Sequence, residues 1–320
     1  MARVVSASPM PGTRRCEALD IFRVVCAVMV VGIHTHLLQV ETPWLGFVLG
    51  NGLFRVAVPF FLMLSGYYWG TRISSQRDFI RWGARILGLY AFWMLIYLPF
   101  YAHSTLKGLL PTLVFGYHHL WFVPAMLLGG AMLYGLRSLS AISLLAISGG
   151  LFLGGLVLQY GSLLHVVPGY YFIYRNFLFF GFPLMALGYV AQRENFKLST
   201  RGALAMVLVG LAGVIVENQI LFNWGIAQGG VDFYLFMPAL AGGFLMMLQN
   251  MKGATNLELW PKFWMNLSSS MYFVHPLFIA GVTFWVPQIS SVSLFLLAAG
   301  AAALSVFPLS ILAQRVWFVL

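Results

Sequence analysis

Leu19-Asp20-Ile21-Phe22-Arg23 opens a long apolar run that closes on Ile33-His34-Thr35-His36-Leu37-Leu38, and this run decides the fold. About twenty mostly apolar residues are enough to cross a hydrocarbon core of roughly 30 Å. A passive anchor would avoid an arginine and two histidines. Arg23 and His34 are three helical turns apart in the sequence. At about 100° per residue they fall within about 20° of each other, roughly 16 Å apart along the axis. An ionisable group inside a span is costly, so it normally faces a protein interior or a wet cavity and marks function. Arg23 alone could snorkel to the headgroups. His34 lies too far along to reach the same side, which favours a lined cavity.

The rest of the chain extends this reading. Hydrophobic residues make up 61% of the 320 and charged residues only 8%, which excludes an ordinary soluble domain. The apolar runs are continuous rather than alternating, which excludes an outer-membrane barrel. The expected fold is all-α: a polytopic bundle of about ten transmembrane helices. Spans begin near Leu19, Phe47, Ile86, Leu120, Leu139, Tyr171, Arg201, Val231, Ser270 and Ser291. Residues 1–17 read as a flexible cytoplasmic N-terminus, and 18–320 as a single transmembrane domain. Gly149-Gly150 and Gly154-Gly155 look suited to close helix contact. No internal repeat of the kind found in many transporters is evident.

Basic residues give the orientation. With a cytoplasmic N-terminus, the inner segments hold fourteen: Arg3, Arg14, Arg15, Arg72, Arg77, Arg81, Arg85, Arg137, Arg193, Lys197, Arg201, Lys252, Lys262 and Arg315. The outer loops hold Lys107 alone, and Arg23, Arg55 and Arg175 lie in or at the mouths of spans. This bias places both termini in the cytoplasm and accounts for the net charge of +10 without any nucleic-acid partner. Two polar layers follow from depth. The outer one holds His34, Arg55, Arg175 and His119; the inner one holds Asp20, Arg23, Ser65 and the basic segment. Glu41, Glu217 and Asp232 fall at outer ends, where a solvated carboxylate is expected. His119 beside Trp121 reads as an interfacial cap. His275 before Pro276 reads as a kink marker or a site residue. Cys16 and Cys26 suggest neither a disulfide nor a metal site. His34 and His36 point to different helix faces, so no metal ligand set is expected.

Taken together, several blocks resemble the acyltransferase-3 family of integral membrane proteins. Leu19-Asp20-x2-Arg23-x10-His34 is similar to the family's opening motif. Arg55-Val56-Ala57-Val58-Pro59-Phe60-Phe61 with Ser65-Gly66-Tyr67 resembles its second-span signature. Phe79-Ile80-Arg81-x3-Arg85-Ile86 resembles its basic loop, although the adjacent Arg-x-Arg pair of some members is missing. His119-Leu120-Trp121, Arg175-Asn176-Phe177 and Ser270-x-Tyr272-x2-His275-Pro276 complete the set in family order.

The resemblance implies a ten-span enzyme of the bacterial inner membrane. It would take an acyl group, commonly acetyl, from cytoplasmic acyl-CoA and place it on a carbohydrate hydroxyl. The implied acceptor is a cell-surface polysaccharide, a glycolipid or a lipid-linked sugar precursor. The nearest branch is the single-domain O-acetyltransferases, since no appended SGNH hydrolase follows before Leu320. His34 would be the catalytic histidine and Arg23 its motif partner. Asp20, Arg55, Ser65, Arg81, Arg85, His119, Trp121, Arg175 and His275 would bind acyl-CoA or acceptor. No permanently bound cofactor is implied; the partners would be acyl-CoA, the acceptor, the lipid bilayer and polysaccharide-assembly proteins. Acyl transfer to a hydroxyl requires a base, and neutral imidazole suits that role. His34 could equally carry the acyl group itself between two half-reactions. Two other readings stay open: a transporter or uptake module of the same fold, and a non-enzymatic assembly partner in polysaccharide export.

Overall fold

The computed structural model describes residues 16–102, 105–226, 230–251, 262–316 and 318–320. The segment expected to be a flexible N-terminus lies almost wholly outside these residues. The chain is an all-α polytopic membrane protein. Among the described residues, ten helices correspond one to one with the expected spans, several of them starting well before or after the expected position. They are α1 (Glu17–His34), α2 (Ala57–Arg72), α3 (Gln76–Ile96), α4 (Phe122–Leu136) and α5 (Ala141–Leu163). The second half holds α6 (Phe182–Arg193), α7 (Thr200–Asn223), α8 (Met237–Asn250), α9 (Phe263–Trp285) and α10 (Ser291–Leu304). Among the described residues, seven continuous helical segments are long and apolar enough to cross a membrane. The other three helices, α1, α6 and α8, are short or charged but packed inside the bundle. Glu17, Asp20 and Arg23 all fall in the first two turns of α1.

The ends of the helices sort into two sets, as alternating passes require. At one end Arg193 donates to the carbonyls of Arg137 and Leu139, Asn250 to Leu198, and Cys16 to Leu248. Arg85 donates to the Leu320 carbonyl at the same end. At the other end Leu38 and Glu41 bond Ser291, Trp44 bonds Gln219, and Tyr160 bonds Glu217. Every described lysine and arginine that the charge bias assigns to the cytoplasm lies toward the first set.

Packing is closest where glycine replaces side chain. A Cβ on Gly66 of α2 would meet the Met185 carbonyl oxygen at 1.9 Å, and one on Gly188 of α6 would meet the Met63 carbonyl at 1.9 Å. This reciprocal approach of two backbones makes α2 against α6 the central contact of the bundle, with α1 against α9 beside it. Expectation and structure part in two places. Gly155 does pack closely, on Phe179 and Phe233, but Gly149 and Gly150 meet nothing within 4 Å. The expected basic loop is helical instead: α3 starts at Gln76, behind a capping box in which Ser75 and Asp78 bond each other's backbone amides. That cap puts Arg77, Arg81 and Arg85 on the first turns of the helix rather than in a loop.

Candidate functional site

Three spans begin with irregular turns, and all three frame one recess. The approach to α2 runs through a π-turn, Val48–Gly52, and a 3-10 turn, Leu53–Val56. The approach to α6 is a second π-turn, Phe177–Gly181, whose start is capped by Asn176 accepting from Leu178 and Phe179 amides. The approach to α4 is a 3-10 turn, His118–Trp121. Such turns recur at functional sites because they aim side chains and free backbone groups that a regular helix would hide.

Val30, Ile33, His34, Arg55, Val58, His119, Trp121, Arg175, Phe180, Asp232 and Tyr272 enclose about 460 Å³ of atom-free space, the open mouth included. His34, at the last turn of α1, is the half-buried imidazole of a cluster. Its ring centre lies 4.5 Å from that of His118, 5.1 Å from His275 and 6.5 Å from His119. His275 is fully buried, and its Nδ1 bonds the Met271 carbonyl at 3.0 Å, which makes Nδ1 the protonated nitrogen. Its Nε2 is therefore a bare acceptor, with no hydrogen-bond partner among the described residues. His119, 2% exposed, has neither ring nitrogen partnered, while its carbonyl accepts from the Tyr272 hydroxyl at 2.7 Å. Despite the four histidines, no group of three metal-ligating side chains is arranged to hold an ion among the described residues.

The opposite wall is ionic. Asp232, 5% exposed, accepts from Arg55 Nη1 at 2.7 Å and from Arg175 Nη1 at 3.4 Å. Arg55 also donates through Nε to the Gly50 carbonyl and through Nη2 to Asn51 Oδ1. Arg175 lies against two aromatic faces, 5.0 Å from the Trp121 ring centre and 4.8 Å from that of Tyr171. Gln159, wholly buried, fixes Asp232 by accepting from the Asp232 and Phe233 amides and donating to the Phe233 carbonyl.

The structure thus unites His34, Arg55, His119, Trp121 and Arg175 at the recess, with His275 directly behind. It does not bring Arg23, Asp20, Ser65, Arg81 or Arg85 there. Asp20 and Arg23 pair at 3.5 Å two turns into α1, on the far side of the bundle's thickness. Ser65, half-buried, sits beside the α2–α6 crossing; Arg81 is exposed on α3. Three expectations are corrected. Asp232 is not a solvated carboxylate but the buried counter-ion of two arginines. Glu217 is likewise engaged, by the Tyr160 hydroxyl and the Leu235 amide. His119 is a buried wall of the recess rather than an interfacial cap. Glu41 alone matches its solvated reading: it is exposed, and the Ser291 hydroxyl holds its carboxyl below the usual range. Asp232, Gln159 and His118 were missed; for His118 the adjacent His119 was the one available signal.

Residues 17–315 match the acyltransferase domain that defines the acyltransferase-3 family. The chain belongs to that family. A serine/alanine racemase of Enterococcus gallinarum is 28% identical over 310 residues, covering 86% of this chain and 42% of its own length. An amino-acid racemase of Enterococcus faecalis is 28% identical over 296 residues, covering 83% of this chain and 41% of its own. The chain therefore spans less than half the length of these family relatives. No solved structure matches it.

Proposed function

We propose that this family member is an acyltransferase of the bacterial inner membrane. It moves an acyl group, commonly acetyl, from cytoplasmic acyl-CoA to a hydroxyl of a cell-surface polysaccharide, glycolipid or lipid-linked sugar precursor. One observation carries the reading. His34 is the imidazole that reaches the recess from α1, facing a wall that holds the guanidiniums of Arg55 and Arg175 with their carboxylate Asp232, the His119 imidazole and the rings of Trp121 and Tyr272. A positioned base beside cationic donors is what attack of a hydroxyl on an acyl carbonyl needs.

In the direct route His34 takes the proton as the acceptor oxygen attacks the acyl carbonyl, and the sulfur of CoA departs. In the two-step route a His34 nitrogen first receives the acyl group, releasing CoA, and then yields it to the acceptor. His119, which lines the recess, is placed to steady the oxyanion in either route. His275 packs the back of the His34 ring and offers its Nε2 as a nearby acceptor. On the basic side, Arg81 with Arg72 and Arg77 would meet the CoA phosphates. Arg85 is already engaged with the Leu320 carbonyl, which weakens its case. Arg23 and Asp20 would line the path between the two layers. Bilayer lipid and polysaccharide-assembly proteins are the expected partners.

The test is transfer from radiolabelled acetyl-CoA in inverted membrane vesicles, wild type against His34→Ala at equal expression. We expect base-labile labelled glycan in the wild type and a loss of about 100-fold or more in the variant, with acyl-CoA binding retained. Label that survives in the variant would remove His34 from the centre. A second reading, passage of a small substrate through the same recess, draws on the racemase names of the relatives, whose amino-acid substrates carry a carboxylate. It predicts no label in either protein and uptake of L-serine that depends on Arg175.

A further inference from the structure

The recess holds two arginines and one carboxylate, and this imbalance has a consequence. Arg55 and Asp232 would suffice as a structural pair: their contact is the short one, and Gln159 and Asn51 complete it. Arg175 adds a second positive charge that Asp232 meets only at 3.4 Å and with one nitrogen, Nη1. A partly buried charge without a full partner is costly. The Trp121 and Tyr171 faces offset part of that cost but supply no acceptor. Asp232 is the one carboxylate lining the recess among the described residues, and the remaining polar lining is imidazole, indole and phenol. The site therefore carries a net charge of about one positive unit at its mouth, with guanidinium donors left over.

We infer that the acceptor bears an oxyanion, a carboxylate or a phosphate, which Arg175 and Arg55 bind while its hydroxyl lies toward His34. The inference rests on the acyltransferase reading and narrows it, from carbohydrate in general to an acidic sugar or a sugar phosphate. The aromatic platform of Trp121 lies between the guanidinium of Arg175 and the π-turn at Phe180, a face on which a sugar ring can stack while its anion meets the arginine. Asp232 then has a second task beyond holding the arginines. It lowers the charge of the empty site so that the anion binds reversibly rather than staying after transfer.

Binding separates this inference from the activity on which it rests. The full chain in lipid nanodiscs is titrated calorimetrically with methyl glucuronide, glucose 1-phosphate and methyl glucoside. One of the two acidic sugars should bind at least about 10-fold more tightly than the uncharged glucoside, and which one does so tells carboxylate from phosphate. Arg175→Gln should abolish that difference. Asp232→Asn keeps both arginines and should tighten the acidic ligand by about 10-fold, since one negative charge leaves the site. If the arginine variant does not fold, the Asp232→Asn result decides. Equal affinity for charged and uncharged sugars, no binding of any of them, or tighter binding of L-serine than of either acidic sugar overturns the inference. None of these outcomes depends on acyl transfer, so loss of transfer in the vesicle experiment with acidic-sugar binding intact would overturn the enzyme reading alone.

Discussion

Each guanidinium nitrogen of Arg55 has one partner within the protein, Nε the Gly50 carbonyl, Nη1 Asp232 and Nη2 Asn51, which leaves a second N–H on each Nη. The side chain is thus both a site residue and the clasp that holds the π-turn at the start of the second span. Arg55→Met leaves Asp232 buried beside Arg175 alone and strands the Gly50 and Asn51 acceptors. A destabilisation of about 1–3 kcal/mol is expected, because buried acceptors lose their donor and Asp232 keeps only the longer Arg175 contact. Arg55→Lys keeps the charge but cannot reproduce a three-way fork, and should lie between wild type and Arg55→Met. Thermal unfolding of the detergent-solubilised protein, followed by light scattering, ranks the three; equal midpoints for Lys and Met would deny the charge any part. At this scale the sequence was readable where a residue broke a rule. Arg55, Arg175 and His34 stand out because charge or imidazole inside an apolar run is costly and topology does not require it. Asp232 broke no rule: a carboxylate at the outer end of a span is ordinarily solvated, and only the tertiary approach of α5, through Gln159, hides it. Gln159 itself, one polar residue in a long apolar helix, gives no sign of which backbone it will bind.

The helices were legible as elements, because runs of apolar residues long enough to span are hard to read otherwise, but their ends were not. α3 begins ten residues before its apolar run, since the Ser75–Asp78 capping box can start a helix in basic, wettable sequence. α8 begins later than its run, since residues 231–234 are non-helical and 235–236 form a turn, with the Asp232 and Phe233 amides bonded to Gln159 and the Leu235 amide to Glu217 instead. The Ser65-Gly66-Tyr67 signature was visible as a motif, yet its physical reason appears only in the pair of helices. Gly66 and Gly188 each face the other helix's carbonyl oxygen, at positions where a methyl group would meet backbone that cannot rotate away. Gly66→Ala should therefore force α2 and α6 apart and destabilise the bundle by about 1–3 kcal/mol or more. Gly149→Ala, on a glycine that faces open space, should be neutral or slightly stabilising through helix propensity. The two variants measured side by side in the same unfolding assay check the claim. A Gly66→Ala protein as stable as Gly149→Ala would mean that the crossing relaxes freely.

For the molecule as a whole, the question is which face each substrate meets. Arg23 and His34 are separated by about 16 Å of helix, and the described basic residues gather on the Arg23 side while the recess opens on the other. On the proposed acyl-transfer reading, the donor thioester would be reached from one side and the acceptor hydroxyl from the other, with the acyl group crossing between the layers. Orientation turns that statement into a test. Val40, 84% exposed in the turn after α1, lies on the recess side; Lys197, exposed between α6 and α7, lies on the basic side. The two native cysteines are buried, so they contribute little background. A membrane-impermeant maleimide should label Val40→Cys in intact cells stripped of their outer membrane. Lys197→Cys should react only in inverted vesicles. The positive-inside bias demands this pattern, and the opposite one would put His34 on the cytoplasmic side. Acyl-CoA and base would then share one face, the Arg81 side would meet the acceptor, and no acyl group would need to cross the bundle at all.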